Sequence, residues 1–358
     1  MPRSTLARID TAALRFNFQK AQELAGDVQV MAVVKADGYG HGIADVAGSL
    51  QDLAPKFAVA CIDEALSIRQ AGILTPVVLL QGPHSSEDVE VSAREGFELV
   101  IHSDHQLAWL AAASSVSTLW IKVNTGMNRL GFAPGQLAEV MASLSGMGKQ
   151  SALVGFVTHF ACADDARSDF TKEQTRRFIQ ATRPWPDLAR SLANSAAHFL
   201  QGQKLYDWTR PGIMLYGGSP MIGHLGPELG LRPVMTLQAE LTSVRTLASG
   251  ESVGYGASWR ASAPTRMGIV AIGYGDGYPR HAGTGTPAWV NGRRICLIGR
   301  VSMDMLAVDL TGAPDAQPGD KVELWGRNVS VDEIARHAGT IGYELLTGVT
   351  ARVPRVRE

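Results

Sequence analysis

Between residues 28 and 213, short runs of β-branched and aliphatic residues alternate with longer stretches of helical pattern at roughly even spacing. No other feature constrains the chain as much, because strands separated by whole helices run parallel, each helix crossing back over the sheet. The candidate strands are 28–34, 57–61, 76–80, 97–101, 118–124, 153–159, a weaker one at 190–194, and 207–213. About eight such strands imply an α/β fold of the (β/α)8, TIM-barrel type. A count of strands leaves an open doubly wound sheet as the competing layout. Between the strands lie helical patterns such as 63–72, with Asp63 and Glu64 opening it and Gly72 closing it.

Beyond about Gly230 the texture changes to Thr, Val and Gly, with strand-like runs at 237–247, 266–272, 287–290, 294–298, 305–310 and 321–324. The reading is a barrel over 1–230 followed by a mainly-β domain over 231–358. Asn291-Gly292 marks a hairpin, since both residues accept the positive φ of a tight turn. A late helix, 331–337, starts after Ser330 with Glu333 three positions on, the pattern of a capping box.

Composition narrows the function. A formal net charge of -1, with 45% apolar and 19% charged residues, provides no basic surface for nucleic acid. Cys61, Cys162 and Cys296 are far apart and form no C-x-x-C pair, so neither a disulfide framework nor a zinc site is indicated. Met1 to Asp10 places charges where a signal peptide needs an apolar stretch. No apolar run reaches the roughly 18 residues of a membrane span. The expectation is a cytoplasmic protein that engages neither membrane nor nucleic acid. His102 and His105 have metal-like spacing but lack further ligands, and Trp185, Trp208, Trp259 and Trp325 read as packing residues.

The strongest local signal is Val33-Val34-Lys35-Ala36-Asp37-Gly38-Tyr39-Gly40-His41-Gly42, an apolar strand delivering one lysine into a glycine-rich turn. The segment is neither a Walker loop nor a dinucleotide fingerprint, because its glycines run G-x-G-x-G. Lys35 falls at a strand's C-terminal end, where barrels assemble active sites. In a largely dry mouth a lysine loses proton affinity and can form a Schiff base. A solvated lysine before a loop accounts for the same segment.

This segment resembles the cofactor-lysine signature of the alanine racemase family, and the resemblance continues in order along the chain. It is carried by Lys122-Val123-Asn124-Thr125-Gly126-Met127-Asn128-Arg129-Leu130-Gly131, Thr158-His159-Phe160, Ala193-Asn194-Ser195, Arg210-Pro211-Gly212-Ile213, Gly254-Tyr255-Gly256, Gly273-Tyr274-Gly275-Asp276-Gly277-Tyr278, Ser302-Met303-Asp304 and Gly342-Tyr343-Glu344. The resemblance implies a pyridoxal 5′-phosphate (PLP) enzyme interconverting L- and D-alanine, for peptidoglycan precursor supply or alanine catabolism. Lys35 then holds the cofactor and is the base for the D-enantiomer, and Tyr255 is the base for the L-enantiomer. His159 and Arg210 correspond to residues in a hydrogen-bonded chain to that tyrosine. A phenol titrating near 10 needs such support to act as a base.

Arg210 also corresponds to the arginine facing the pyridine nitrogen. Arginine stays protonated and cannot protonate the ring, so the ring is a weaker electron sink and racemisation is favoured over competing fates. Tyr39, Ser195, Gly212, Ile213 and Tyr343 correspond to phosphate donors, Arg129 to a contact of both cofactor and substrate carboxylate, and Lys122 to a lysine carbamylated in some relatives. Met303, whose amide meets the substrate carboxylate, and Tyr255 are implied to come from the partner of a head-to-tail homodimer. Tyr274, Tyr278, Arg280 and Asp304 are implied to line the passage by which substrate enters, which Tyr255 and Tyr343 narrow toward small side chains. A fold-related PLP decarboxylase would want an acid where Arg210 stands, and a PLP-binding homeostasis protein would lack the second domain. The tail, Arg352-Val353-Pro354-Arg355-Val356-Arg357-Glu358, also resembles the family and is too short for nucleic-acid binding.

Overall fold

The computed structural model describes residues 4–358; Met1, Pro2 and Arg3, part of the signal-peptide reading, lie outside the described residues. Eight parallel strands close into a barrel: Gln29–Val33, Lys56–Val59, Val77–Leu79, Glu98–Ile101, Leu119–Lys122, Leu153–Val157, Ala189–Asn194 and Trp208–Arg210. The last pairs with the first through Gln29↔Trp208 and Val30↔Thr209, so the sheet is closed rather than open. Val77–Leu79 and Glu98–Ile101 are buried along their whole length. Strands enclosed by the barrel interior on one side and helices on the other are largely apolar, which is why they read as continuous runs; Glu98 departs from this and is paired with Lys56 and Trp120.

Six of the eight barrel strands stop short of the expected ends, whereas Glu98–Ile101 and Ala189–Asn194 reach theirs. The last one halts at Arg210 because Pro211 has no N–H to donate to the ladder. Strand Leu153–Val157 likewise releases Thr158 and His159 into the rim. The residues freed in this way are the ones that build the site.

The second sheet has eight strands, and its order holds a surprise. Strand Leu6–Ile9 from the start of the chain lies in it, antiparallel to Met235–Leu247 through Leu6↔Gln238 and parallel to Arg355–Arg357 through Ala7↔Arg355. Residues 1–230 therefore do not all serve the barrel, since this first strand crosses to the β domain before helix Thr11–Ala25 begins. Asn291 (φ 47) and Gly292 (φ 78) form the turn between Pro287–Val290 and Arg293–Ile298. Helix Val331–Ala338 is capped by Ser330, whose hydroxyl accepts from the Asp332 amide. Glu333 does not reach back to complete a capping box; it pairs with Arg294 across the surface.

After the first barrel strand the backbone does something rarely seen. Ala36, Asp37, Gly38 and Tyr39 are all left-handed, with φ of 52, 53, 61 and 54. For a residue with a Cβ this costs about 1–2 kcal/mol. Only dense support can sustain three such residues within four positions. The Gly42 amide donates to the Asp37 carbonyl (2.9 Å), Asp37 Oδ1 accepts from the Ile43 amide (2.8 Å), and the Tyr39 ring stacks on Tyr216 at 4.6 Å. From the other end of the chain, Arg355 Nε donates to the Gly40 carbonyl (3.1 Å).

Gly40 (φ 79) presses against helix Gly342–Gly348 so closely that a Cβ would lie 2.2 Å from the Leu346 carbonyl oxygen. Gly40→Ala is expected to destabilise the protein by roughly 2–4 kcal/mol, through φ strain and the lost close approach together. Chemical denaturation checks this; a change under 1 kcal/mol or so would show that the turn is less tightly held.

Candidate active site

The freed strand ends surround a cavity of about 840 Å³ at the C-terminal mouth of the barrel. Of the residues singled out from sequence, Lys35, Tyr39, Lys122, Arg129, His159, Ser195, Arg210, Gly212, Ile213 and Tyr343 all line it. Nine of them sit at or beyond the ends of five barrel strands, and Tyr343 is delivered by the β domain on helix Gly342–Gly348. Asn194, Gln81 and Glu344 also line the cavity and were missed as site residues. Gln81 lies two positions past Val77–Leu79, and that strand-end position was the available signal.

The remaining expected residues lie elsewhere. Tyr255 and Met303 are 71% and 53% exposed on the β domain, and neither lines the cavity of its own chain. Tyr274, Arg280 and Asp304 are also exposed on the β domain, and Asp304 pairs with Arg352 at 2.6 Å. Tyr278 is a correction. It is 1% exposed and stacks on Trp325 with ring centroids 5.9 Å apart, a core residue that cannot line a passage.

Positive charge dominates the cavity. Lys35, Lys122 and Arg129 have no ion pair and no side-chain hydrogen bond among the described residues. Burial, reinforced by Arg129 and Arg210, holds the Lys35 amine below its ordinary value. Burial and then Arg210 bring Lys122 down to about 8. Arg210, 5% exposed, is brought down to about 10 by burial alone, and it donates to the Ser191 hydroxyl and to the Thr158 and Leu192 carbonyls. His159 is pushed well below its normal range, first by burial and then by Arg210, so the imidazole is neutral. No hydrogen bond joins His159 to Arg210 among the described residues; the expected chain between them is not formed within one protomer.

The cavity also offers donors. Ser195 Oγ accepts from the Gly212 amide at 2.8 Å, which occupies that amide but leaves the hydroxyl proton free to point inward. A Cβ on Gly212 would sit 2.2 Å from the Tyr39 hydroxyl, so the missing side chain is what lets the phenol come so close. Burial pushes Tyr39 and Tyr343 upward, and both phenols remain protonated donors. Unpaired cations together with hydroxyl donors fit an anion that carries a phosphate.

The family model for the alanine racemase N-terminal domain matches residues 9–220, and that for the alanine racemase C-terminal domain matches 234–357. The chain is 64% identical to an alanine racemase of Marinobacter nauticus over the whole of both chains. The chain belongs to the alanine racemase family. It superimposes on the crystal structure of biosynthetic alanine racemase from Pseudomonas aeruginosa with a TM-score of 0.95 and 45% identity, all of both chains being covered. The alanine racemase of Bartonella henselae with covalently bound pyridoxal phosphate matches with a TM-score of 0.89 and 29% identity over the full length of both. Alanine racemases depend on PLP. The cationic cavity with its hydroxyl wall fits that cofactor's charge. No helix among the described residues is long and apolar enough to cross a membrane.

The depressed lysine has a consequence for the stability of the cofactor-free chain. Burial holds Lys122 at about 8 in the folded protein against its ordinary 10.5, so between those values the unfolded chain binds more protons. Folding stability from this residue therefore rises with pH across that window, and below about pH 8 the penalty, on the order of 3 kcal/mol, stands in full. Lys122→Met should remove that rise. The measurement is denaturation of both cofactor-free proteins at the two ends of the window, and parallel curves would refute the assignment.

Proposed function

We propose that this chain is a PLP-dependent alanine racemase, an isomerase that moves the α-hydrogen of alanine between two faces. The observation that carries the reading is the strand-end amine of Lys35 in a cavity of unpaired cations, in a chain with full-length likeness to alanine racemases. PLP, when bound, draws electrons away from the α-carbon and so acidifies its hydrogen.

The rest falls to the protein. Lys35 anchors the cofactor and, with its proton affinity lowered by burial, takes and returns the α-hydrogen on one face. Arg210, already held by Ser191, Thr158 and Leu192, offers the ring a fixed charge rather than a transferable proton. Tyr39, Ser195, Tyr343 and the Ile213 amide hold the phosphate. Arg129, unpaired within the chain, presents its fork to the substrate carboxylate. Lys122, with a value of about 8, is deprotonated often enough near neutrality to take up carbon dioxide, and the resulting carbamate would orient Arg129.

Tyr255 serves the opposite face of a partner's site, together with the amide of Met303. The 71% exposure of Tyr255, far above that of the buried tyrosines, supports a head-to-tail homodimer in which each β domain closes the other barrel. Tyr274, Arg280 and Asp304 then line the approach to that shared site. Likeness to the biosynthetic enzyme of Pseudomonas aeruginosa supports a role in supplying D-alanine. The purified protein should exchange the α-hydrogen of either alanine enantiomer with solvent deuterium. Absence of exchange with saturating PLP would end this reading.

A further inference from the structure

The charged groups facing Lys35 from the barrel rim are Lys122, Arg129 and Arg210, with neutral His159 among them. Tyr39 and Tyr343 face it as protonated phenols, Glu344 sits on the β-domain wall of the cavity, and Asp37 is turned away to the Ile43 amide. One acid stands behind the lysine instead of beside the cavity. Glu64, in the first turn of helix Ile62–Gln70, acts on Lys35 in the sense opposite to Arg129 and Arg210.

Its geometry is more demanding than a helix cap needs. Glu64 Oε2 accepts from the Ala60 amide at 2.7 Å, four residues back, as an acid opening its own helix would. Oε1 crosses to another strand end and accepts from the Ala36 amide at 2.6 Å. Ala36 directly follows Lys35 and is the first left-handed residue of the turn (φ 52). A single carboxylate thus ties together the ends of two neighbouring barrel strands, which are already paired through Val33↔Ala58. Backbone that enters a left-handed run has no helical carbonyl for that amide, and Glu64 supplies the acceptor.

We propose that Glu64 is a positioning residue for the cofactor lysine: its carboxylate fixes the first residue of the left-handed turn and puts a negative charge behind an amine whose charged neighbours on the barrel rim, Lys122, Arg129 and Arg210, are cations. The proposal rests on the reading that Lys35 carries PLP. Glu64 touches neither substrate nor cofactor; it acts through Lys35.

Two measurements on Glu64→Gln test it. In cofactor-free protein, the pH dependence of reductive methylation at Lys35, followed by mass spectrometry, should move to lower pH, while that of the remote surface Lys172 stays put. Affinity for added PLP should fall roughly tenfold, because one charge-assisted hydrogen bond to a strained turn is lost. Glu64→Asp, which keeps the charge, should restore the Lys35 profile even where its shorter reach weakens PLP retention. An unchanged Lys35 profile in Glu64→Gln overturns the proposal, whatever happens to affinity, since a purely structural cap would leave that profile where it was. If Glu64→Gln does not fold, a Glu64→Asp profile displaced from that of the wild type overturns it equally. Borohydride reduction of wild-type protein with PLP separates the two readings: failure to label Lys35 removes the cofactor assignment, and the methylation profile still decides the role of Glu64.

Discussion

Lys35→Ala should lower racemisation by roughly four orders of magnitude or more, in both directions, even with PLP in excess. The size follows from two roles falling on one atom. The amine anchors the cofactor and carries the α-hydrogen, so one truncation removes both attachment and base. Lys122 is the other amine lining the cavity, but it arises from a different strand, and its value of about 8 is set first by burial and then by Arg210. It is not placed to replace Lys35 behind the left-handed turn. The absorbance of the lysine-bound cofactor should vanish, and small primary amines added to the medium should restore part of the rate. Retention of near wild-type turnover would remove Lys35 from the mechanism.

Tyr255→Phe should cut turnover by roughly 10²- to 10⁴-fold, the range of a lost general base, with the cofactor still bound. Solvent-hydrogen exchange should fall far more for L-alanine than for D-alanine, because Lys35 still serves one face. The sharper experiment mixes this variant with Lys35→Ala. In a site built from both subunits, a mixed dimer holds one site with both substitutions and one with neither. Random reassortment should then recover about a quarter of wild-type activity from two nearly dead proteins, as half the dimers are mixed and each has one intact site. If Tyr255 belonged to its own chain's cavity, no mixture would recover anything. The 71% exposure of Tyr255 and its absence from that cavity favour recovery.

Most of the barrel could be read in advance because strands such as Val77–Leu79 are buried on every side and so are apolar at every residue. Their ends could not, since a ladder stops where a neighbour stops or where Pro211 lacks a donor. Strand Leu6–Ile9 escaped because its partners, Met235–Leu247 and Arg355–Arg357, lie at the opposite end of the chain and nothing local distinguishes it from a charged leader.

The cavity residues followed from motifs, but the motifs carried no orientation. Tyr274 and Tyr278 occur in one Gly-Tyr-Gly-Asp-Gly-Tyr segment, yet only the first is exposed, and Trp325, which buries the second, is distant in sequence. Glu64 read as an ordinary helix-opening acid because the amide it captures depends on Ala36 being left-handed, a state that local preference disfavours for alanine.

The tail that completes the β sheet is also the tail whose Arg355 holds the Gly40 carbonyl. As a ribosome releases the chain from its N-terminus, the barrel strands can all emerge and close while strand Leu6–Ile9 waits without neighbours. The turn that carries Lys35 therefore gains its Arg355 clamp only after the β domain has been synthesised, so a barrel closed on its own would hold that turn with one support fewer.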